Sequence, residues 1–582
     1  MTTLPEWNLK DFYPSFESKL ILKDMNELKK MATLFSKKYK NKLNVLNSSL
    51  LVNSLSDYEK LEEKIVSLKS FAFLTYCTDQ LNKEKTKFFQ KIQEYLSDVE
   101  KKTIFYTIEL NKLDKKKSSF LEKSKYESWI LNLNKIKKFQ KSETVETVLM
   151  EKSITSSSAW IKFFDQKMAR LKFNFRKKKI TETEILNLLS SADKNVRKDA
   201  ALSFGKTLKE NIFDFTFVMN NISKDLDIEK NLRGFKYSES SRHLSNQIDK
   251  KDVDSLVKTV TKNYKNICHR YYKYKAKHFG TIKLNYWDRN APYPKTKDQK
   301  ISWNEAKKIV LDSYYGFDKK LGDIANTFFE KSWIHAKISR GKASGAFSHP
   351  TVPKCHPYIL VNFQGKIRDV MTLAHELGHG IHQYLANKNG FLLSDTPLTL
   401  AETASVFGEM LTFRSLLKNS KNTDEKKFLL RSKIEDMINT VFRQIAFFIF
   451  ERNVHNERIN GELSDDDISR IWMSSQNESL GNCVKLNGDY KYFWAYIPHF
   501  IHSPFYVYAY AFGDCLVNSL YSKFEDNIPN FNEKYIKLLE SGGTVHYKKI
   551  LKEFDLDPKR KDFWQMGMNL IQNLIDELEQ LG

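Results

Sequence analysis

A chain of 582 residues is too long for one ordinary core, and a hydrophobic fraction of 41% with 41 Phe, 27 Tyr and 9 Trp supplies ample apolar surface for burial. Twelve Pro and twenty Gly are few for this length, which argues against a turn-rich β protein and for a mainly helical one. The net charge of +24 comes from Lys scattered along the whole chain, with only short runs such as Lys115-Lys116-Lys117, so it reads as a solvated surface rather than a nucleic-acid interface.

The N-terminal segment Met1–Trp7 is polar and lacks the basic and apolar regions of a signal peptide. The five cysteines, Cys77, Cys268, Cys355, Cys483 and Cys515, are odd in number and widely spaced, with no CxxC pair. Together these features predict a reducing compartment, the cytoplasm. Residues 15–110 read as long amphipathic helices. Leu20, Leu22, Met25, Leu28, Met31 and Leu34 recur at helical spacing, as do Leu61, Ile65, Leu68, Phe71 and Leu74. Asp114–Ser119 reads as a polar hinge and Ser153–Ser158 as a second break. Thr181 and Glu184 form a capping-box pattern ahead of Ile185, Leu186, Leu188 and Leu189. These breaks predict an N-terminal helical region over 1–114, a second helical segment over 115–190 and a catalytic region over 191–582.

Helical texture continues to Phe279, residues 285–294 read as a loop, and Ser302–Tyr315 is helical again. Ser339–Pro357, with Gly341, Gly345, Pro350 and Pro353, is the clearest loop. Tyr358–Phe363 is one of few strand candidates, and Asp369 is placed to cap the helix that follows. The most apolar short stretch, Ala446–Phe450, is far below the length of a membrane span.

The helix after Asp369 carries His375-Glu376-Leu377-Gly378-His379. Two histidines at i and i+4 lie on one face and can reach one metal ion, and Glu376, offset by one position, can accept a proton from an attacking water. Five residues alone do not decide between a metal site and two ordinary histidines. The context favours the metal. Val370, Met371, Leu373, Ala374, Leu377 and Ile381 make the helix apolar, so its polar groups need satisfying. Gly378 and Gly380 each weaken a helix by up to about 1 kcal/mol, which predicts close approach of another segment. A second apolar helix, Leu400–Glu409, begins twenty-odd residues later and offers Glu402 as a third ligand. Glu409, two turns on, either orients a ligand histidine or is an ordinary ion-paired Glu. His382 fits a hydrogen-bonded core histidine better than a ligand. In Pro498–Tyr510, His499, Tyr506 and Tyr510 are either donors to a developing oxyanion or an aromatic core stripe. Composition alone favours the stripe, and if the segment is helical Tyr506 and Tyr510 share a face.

Trp7–Ser15, Ser158-Ala159-Trp160, Arg242-His243-Leu244, Tyr286–Pro292, Gly345–Pro350, Thr372–Gly380, Ala401–Ser405 and His499–Gly513 resemble segments of the oligoendopeptidase F group, relatives of thimet oligopeptidase. The resemblance spans nearly the whole chain. It implies a mainly α, two-lobed peptidase with a deep channel that admits short peptides, and a small sheet edge near the metal helix. It implies one zinc ion per chain on His375, His379 and Glu402, with Glu376 as general base. It implies that His499, Tyr506 and Tyr510 bind substrate and stabilise the oxyanion. Gly345, Ala346, Phe347, Tyr358 and Leu360 would hold the peptide, with Tyr358–Phe363 as the strand edge that pairs with it. Relatives often carry Arg where this chain has Ala343. The expected partners are short peptides, with no nucleic acid and no membrane. An end-trimming peptidase of the dipeptidyl carboxypeptidase kind is one alternative. A basic helical scaffold or nucleic-acid binder with a vestigial metal site is another.

Overall fold

The computed structural model describes residues 4–293 and 300–582, and Pro294 of the predicted 285–294 loop lies outside them. The chain is mainly helical, as its low Pro and Gly content predicts. Its seven strands among the described residues are all short: β1 Phe173–Phe175, β2 Lys178–Ile180, β3 Leu284–Asn285, β4 Ile334–His335, β5 Phe347–His349, β6 Tyr358–Leu360 and β7 Val484–Lys485. Two compact units form. The first uses described residues within 1–138, 298–419 and 523–556, and the second those within 139–297, 420–522 and 557–582.

In the first unit the helix Lys19–Tyr39 starts where the Ser18 hydroxyl accepts from the Leu20 N–H. It buries Ile21, Met25, Leu28, Ala32, Phe35 and Tyr39, a stripe spaced four and three in alternation. Leu20, Leu22 and Leu34, which the leucine spacing assigned to the core, are 51%, 52% and 65% exposed. Aromatic Phe35 and Tyr39 extend the true stripe and outweigh the leucines. The next helix, Ser48–Thr78, buries Leu61, Ile65, Leu68, Phe71 and Leu74 as expected. The predicted hinge at Asp114–Ser119 is instead a helix, Lys115–Leu121. Asp114 caps it by accepting from the Lys117 N–H at 2.9 Å, and Leu121 anchors it in the core.

The same unit holds a three-stranded sheet ordered β4-β6-β5, with β4 parallel and β5 antiparallel to β6. β5 lies inside the segment read as loop. It pairs Phe347 with Leu360 and His349 with Tyr358, a register that only the folded chain defines. The helix Ile367–Ala386 packs on this sheet and against the helix Leu398–Lys418. Asp369 sits inside the first turn rather than ahead of it, accepting from the N–H groups of Gln364 and Lys366.

In the second unit the Thr181–Glu184 capping box forms as its sequence predicts. The β1–β2 pair is an antiparallel hairpin, and β3 pairs β7 in parallel. A buried ion pair, Arg197 to Asp288 at 2.7 Å, ties the helix Lys194–Glu210 to the turn after β3, with Arg197 also donating to the carbonyls of Ser191 and Ala192. Residues 499–510 are not one helix. His499–His502 is a single turn, Phe505 takes φ +61°, and a new helix starts at Tyr508, so Tyr506 lies in the turn between them.

Candidate metal centre

His375 and His379 leave the helix Ile367–Ala386 one turn apart, with ring centroids 5.0 Å from each other. The Nε2 atoms lie 3.5 and 3.6 Å from Glu402 Oε2, which the helix Leu398–Lys418 supplies. One ligand atom from each of the three residues lies within 4.8 Å of the others, and no other such group of His, Cys, Asp or Glu occurs among the described residues. The predicted trio is therefore brought together in the first unit.

The packing that sets these distances is tight. A Cβ on Gly378 would stand 2.4 Å from the Ala404 carbonyl oxygen and 2.6 Å from the Ser405 Cα. This is the close approach that two helical glycines predict. A Cβ on Gly408, across the interface, would strike the Tyr314 ring, whose hydroxyl donates to the Ala374 carbonyl at 3.0 Å.

Surrounding groups orient the ligands. His375 Nδ1 lies 3.3 Å from Glu409 Oε2, so Glu409 accepts that N–H and leaves Nε2 facing Glu402. The Ser405 hydroxyl donates to Glu402 Oε2 at 2.7 Å. Burial alone would push the His375 imidazole down, but the Glu409 hydrogen bond and the charges of Glu402, Glu409 and Glu376 raise it to about 9. Burial pushes His379 down to about 4 against the pull of Glu402. Two imidazoles among three carboxylates make an electronegative pocket suited to a divalent cation.

Glu376 is buried beside this trio. Burial raises its carboxyl to about 7; the His375 charge lowers it, Glu402 raises it, and the Ser348 backbone hydrogen bond lowers it. His382 is buried and contacts the Ala401 backbone, and burial pushes its imidazole down to about 3. It is a core histidine outside the ligand group.

A cavity of about 350 Å³ opens against Glu376 and His379, with Ala346, Phe347 and Ser348 on one wall. Ala346 and Phe347, expected to touch the peptide, line this cavity. Gly345 stays beside the cavity wall at φ +79°, its carbonyl accepting from Asn362 at 2.9 Å. Tyr358 and Leu360 require correction. β6 is the central strand, paired on both sides, so it has no free edge for a peptide. Both side chains are fully buried, and the Tyr358 hydroxyl donates to the Asn8 carbonyl at 2.9 Å. The strand beside Glu376 with an edge unpaired by any described strand is β5.

The loop that carries Ala343 is held by Lys342, whose ammonium donates to the carbonyls of His335, Lys337 and Val361. Ala343 itself donates its N–H to the Cys77 carbonyl at 2.9 Å.

His499, Tyr506 and Tyr510 form a cluster of their own in the second unit. His499 Nε2 lies 3.2 Å from the Tyr510 hydroxyl, and the Tyr506 and Tyr510 rings are 5.2 Å apart. The Arg242 guanidinium stands 5.6 Å from the Tyr506 ring. Sequence reasoning gave no role to Ser405, although a Ser three residues after Glu402 on a helix is a readable signal. It also passed over Ser348, Asp395 and Thr396, which reach the cavity through non-local packing and carry no local signature.

The model of peptidase family M3 matches residues 187–570. The chain belongs to this family. A second model, oligopeptidase F, matches residues 109–173 of this M3 metallopeptidase. An oligoendopeptidase F homologue of Borreliella burgdorferi is 29% identical over 99% of this chain and 98% of its own length. Oligopeptidase PepF of Bacillus subtilis is 25% identical over 99% and 87%. The crystal structure of oligoendopeptidase-F from Enterococcus faecium shares the fold with a TM-score of 0.73 at 20% identity, over 96% of this chain and 98% of that one. A solved chain from Chlamydophila abortus does so with a TM-score of 0.87 at 23% identity, over 99% and 98%. As in its M3 relatives, the chain is helical with small sheets, and none of its described helices is long and apolar enough to cross a membrane.

Proposed function

We propose that this M3 peptidase is a zinc-dependent oligoendopeptidase that holds one zinc ion on His375, His379 and Glu402 and hydrolyses internal bonds of short peptides. The observation that carries this reading is the convergence of two imidazole nitrogens and one carboxylate oxygen, 3.5 and 3.6 Å apart, beside a buried Glu376. The donor set fits the ion: ligands bonded to zinc at about 2.0–2.1 Å in tetrahedral array stand about 3.3 Å from one another. The surplus of carboxylates around His375 and His379 is the charge that a dication balances.

Bound zinc supplies Lewis acidity, which acidifies water and polarises a carbonyl. The chain supplies the rest. Glu376, held near neutrality by burial, accepts the proton of the attacking water and returns it to the leaving amine nitrogen. Glu409 keeps the His375 ring in place. The free edge of β5 offers N–H and C=O groups to an extended peptide, which would align its backbone beside Glu376.

The test is metal analysis coupled to product mapping. One zinc per chain, and chelator-sensitive cleavage of peptides blocked at both ends, are expected. Cleavage that survives complete removal of the metal would overturn the reading. Products confined to unblocked ends would replace it with an end-trimming peptidase.

A further inference from the structure

The cavity against Glu376 and His379 has polar lining that the metal chemistry does not use. Asp395 and Thr396 stand there, in the turn that leads into the helix Leu398–Lys418. Among the described residues the Asp395 carboxylate has neither a hydrogen-bond nor an ion-pair partner, whereas Glu27 and Glu540 of the same unit face lysines. The Asp395 residue is exposed where the cavity opens, and nearby protein raises its carboxyl above the ordinary value. The Thr396 hydroxyl is fully buried and also lacks a partner. Buried polar groups are almost always satisfied, so the Thr396 hydroxyl calls for a partner, and the exposed Asp395 carboxylate beside it is open to a cation entering the cavity. None of the residues lining the cavity is Lys or Arg. Of its two histidines, His379 belongs to the metal trio and His382 is buried in the core. Nothing in the cavity wall therefore competes for the carboxylate.

We infer that this cavity is a side-chain subsite for a cationic residue of the peptide, a Lys or Arg next to the scissile bond, whose head group donates to the Asp395 carboxylate and the Thr396 hydroxyl oxygen. At about 350 Å³ the cavity is at the small end of ligand pockets, with room for one long side chain. The aliphatic stem passes Ala346, Phe347 and Pro350, and the charge reaches Asp395 and Thr396. A neutral side chain of equal length would leave both groups unpaired. The chain carries +24 overall, so long-range attraction favours acidic peptides, and this subsite would act against that trend locally.

The inference deepens the peptidase reading and rests on it for its meaning, but binding separates the two. Peptides blocked at both ends, carrying Lys or norleucine at each position around the bond in turn, are titrated by fluorescence anisotropy into the zinc-loaded chain carrying Glu376→Gln. At one register the Lys peptide should bind on the order of ten- to a hundredfold more tightly, the worth of a hydrogen-bonded charge. Asp395→Asn, close to isosteric, should abolish that preference with zinc content and melting temperature unchanged. Asp395→Lys should reverse it in favour of a Glu peptide. Equal binding of Lys and norleucine peptides at every register, or a preference unmoved by Asp395→Lys, would overturn the inference. Turnover of the same peptides by the unmodified chain tests the peptidase reading independently. If none is cleaved, that reading fails, while an Asp395-dependent preference in binding still establishes the cation subsite.

Discussion

A single methyl group at position 378 should disturb the metal centre without touching a ligand. In Gly378→Ala the new Cβ would stand 2.4 Å from the Ala404 carbonyl oxygen and 2.6 Å from the Ser405 Cα, whereas ordinary contact begins at 3.4 Å. The helix Leu398–Lys418 must therefore retreat by about 1 Å (3.4 minus 2.4), because both obstructing atoms are backbone. Overpacking of this kind costs about 1–3 kcal/mol, and the better helix propensity of Ala returns up to about 1. The larger effect falls on the metal. Glu402 rides on the displaced helix two residues from Ala404, and metal–ligand distances tolerate only about 0.2 Å. A loss of tenfold or more in zinc affinity is expected, measured by competition with a chromophoric chelator, together with a smaller zinc-induced rise in melting temperature. Gly316→Ala is the control. Nothing lies within 4 Å of its Cβ and its φ is not positive, so it should be neutral or stabilising by up to about 1 kcal/mol. Wild-type zinc affinity in Gly378→Ala would refute the reasoning.

Three other perturbations have defined outcomes. Glu402→Ala should abolish stoichiometric zinc binding in elemental analysis while the apo chain keeps its helical circular dichroism. Glu409→Ala should weaken zinc about 10–100-fold in the same chelator competition, because His375 loses the acceptor that fixes its ring. Glu62→Gln should change how stability depends on pH. Burial, then the Glu100 charge, raise the Glu62 carboxyl from 4.5 to about 7, so the folded chain binds more protons than the unfolded one between those values and stability falls as pH rises through them. Relative to the parent, Glu62→Gln should gain up to about 3 kcal/mol at pH 8 and little at pH 5 in denaturant titrations, and equal gains at both would contradict it.

What the sequence made legible was local. The i, i+4 histidines, the Thr181 capping box and the demand that Gly378 face a neighbouring backbone are written within one or two turns of helix, and each appears in the structure. Errors arose where the deciding partner is distant. Tyr358–Leu360 reads as a strand from its residues and as an edge only through the family resemblance, yet strand order depends on Ile334–His335 and Phe347–His349, neither of which has a clear strand pattern. Leu20, Leu22 and Leu34 follow helical spacing but lose the core to a stripe completed by Phe35 and Tyr39. Lys115–Leu121 looks like a linker because the lysines hide one cap and one anchor. The aromatic segment breaks at Phe505, whose left-handed backbone no local residue announces. Asp395 and Thr396 are silent in sequence and acquire meaning only as a carboxylate and an unpartnered buried hydroxyl on one cavity.

The central claim is that Glu376 moves the proton for a zinc-dependent cleavage within a peptide. It is tested most directly by turnover of an internally quenched peptide, blocked at both ends, by zinc-loaded chains with and without Glu376→Gln. The account predicts equal zinc content in the two and a rate lower by several orders of magnitude in the variant. Full-rate cleavage by Glu376→Gln would contradict it.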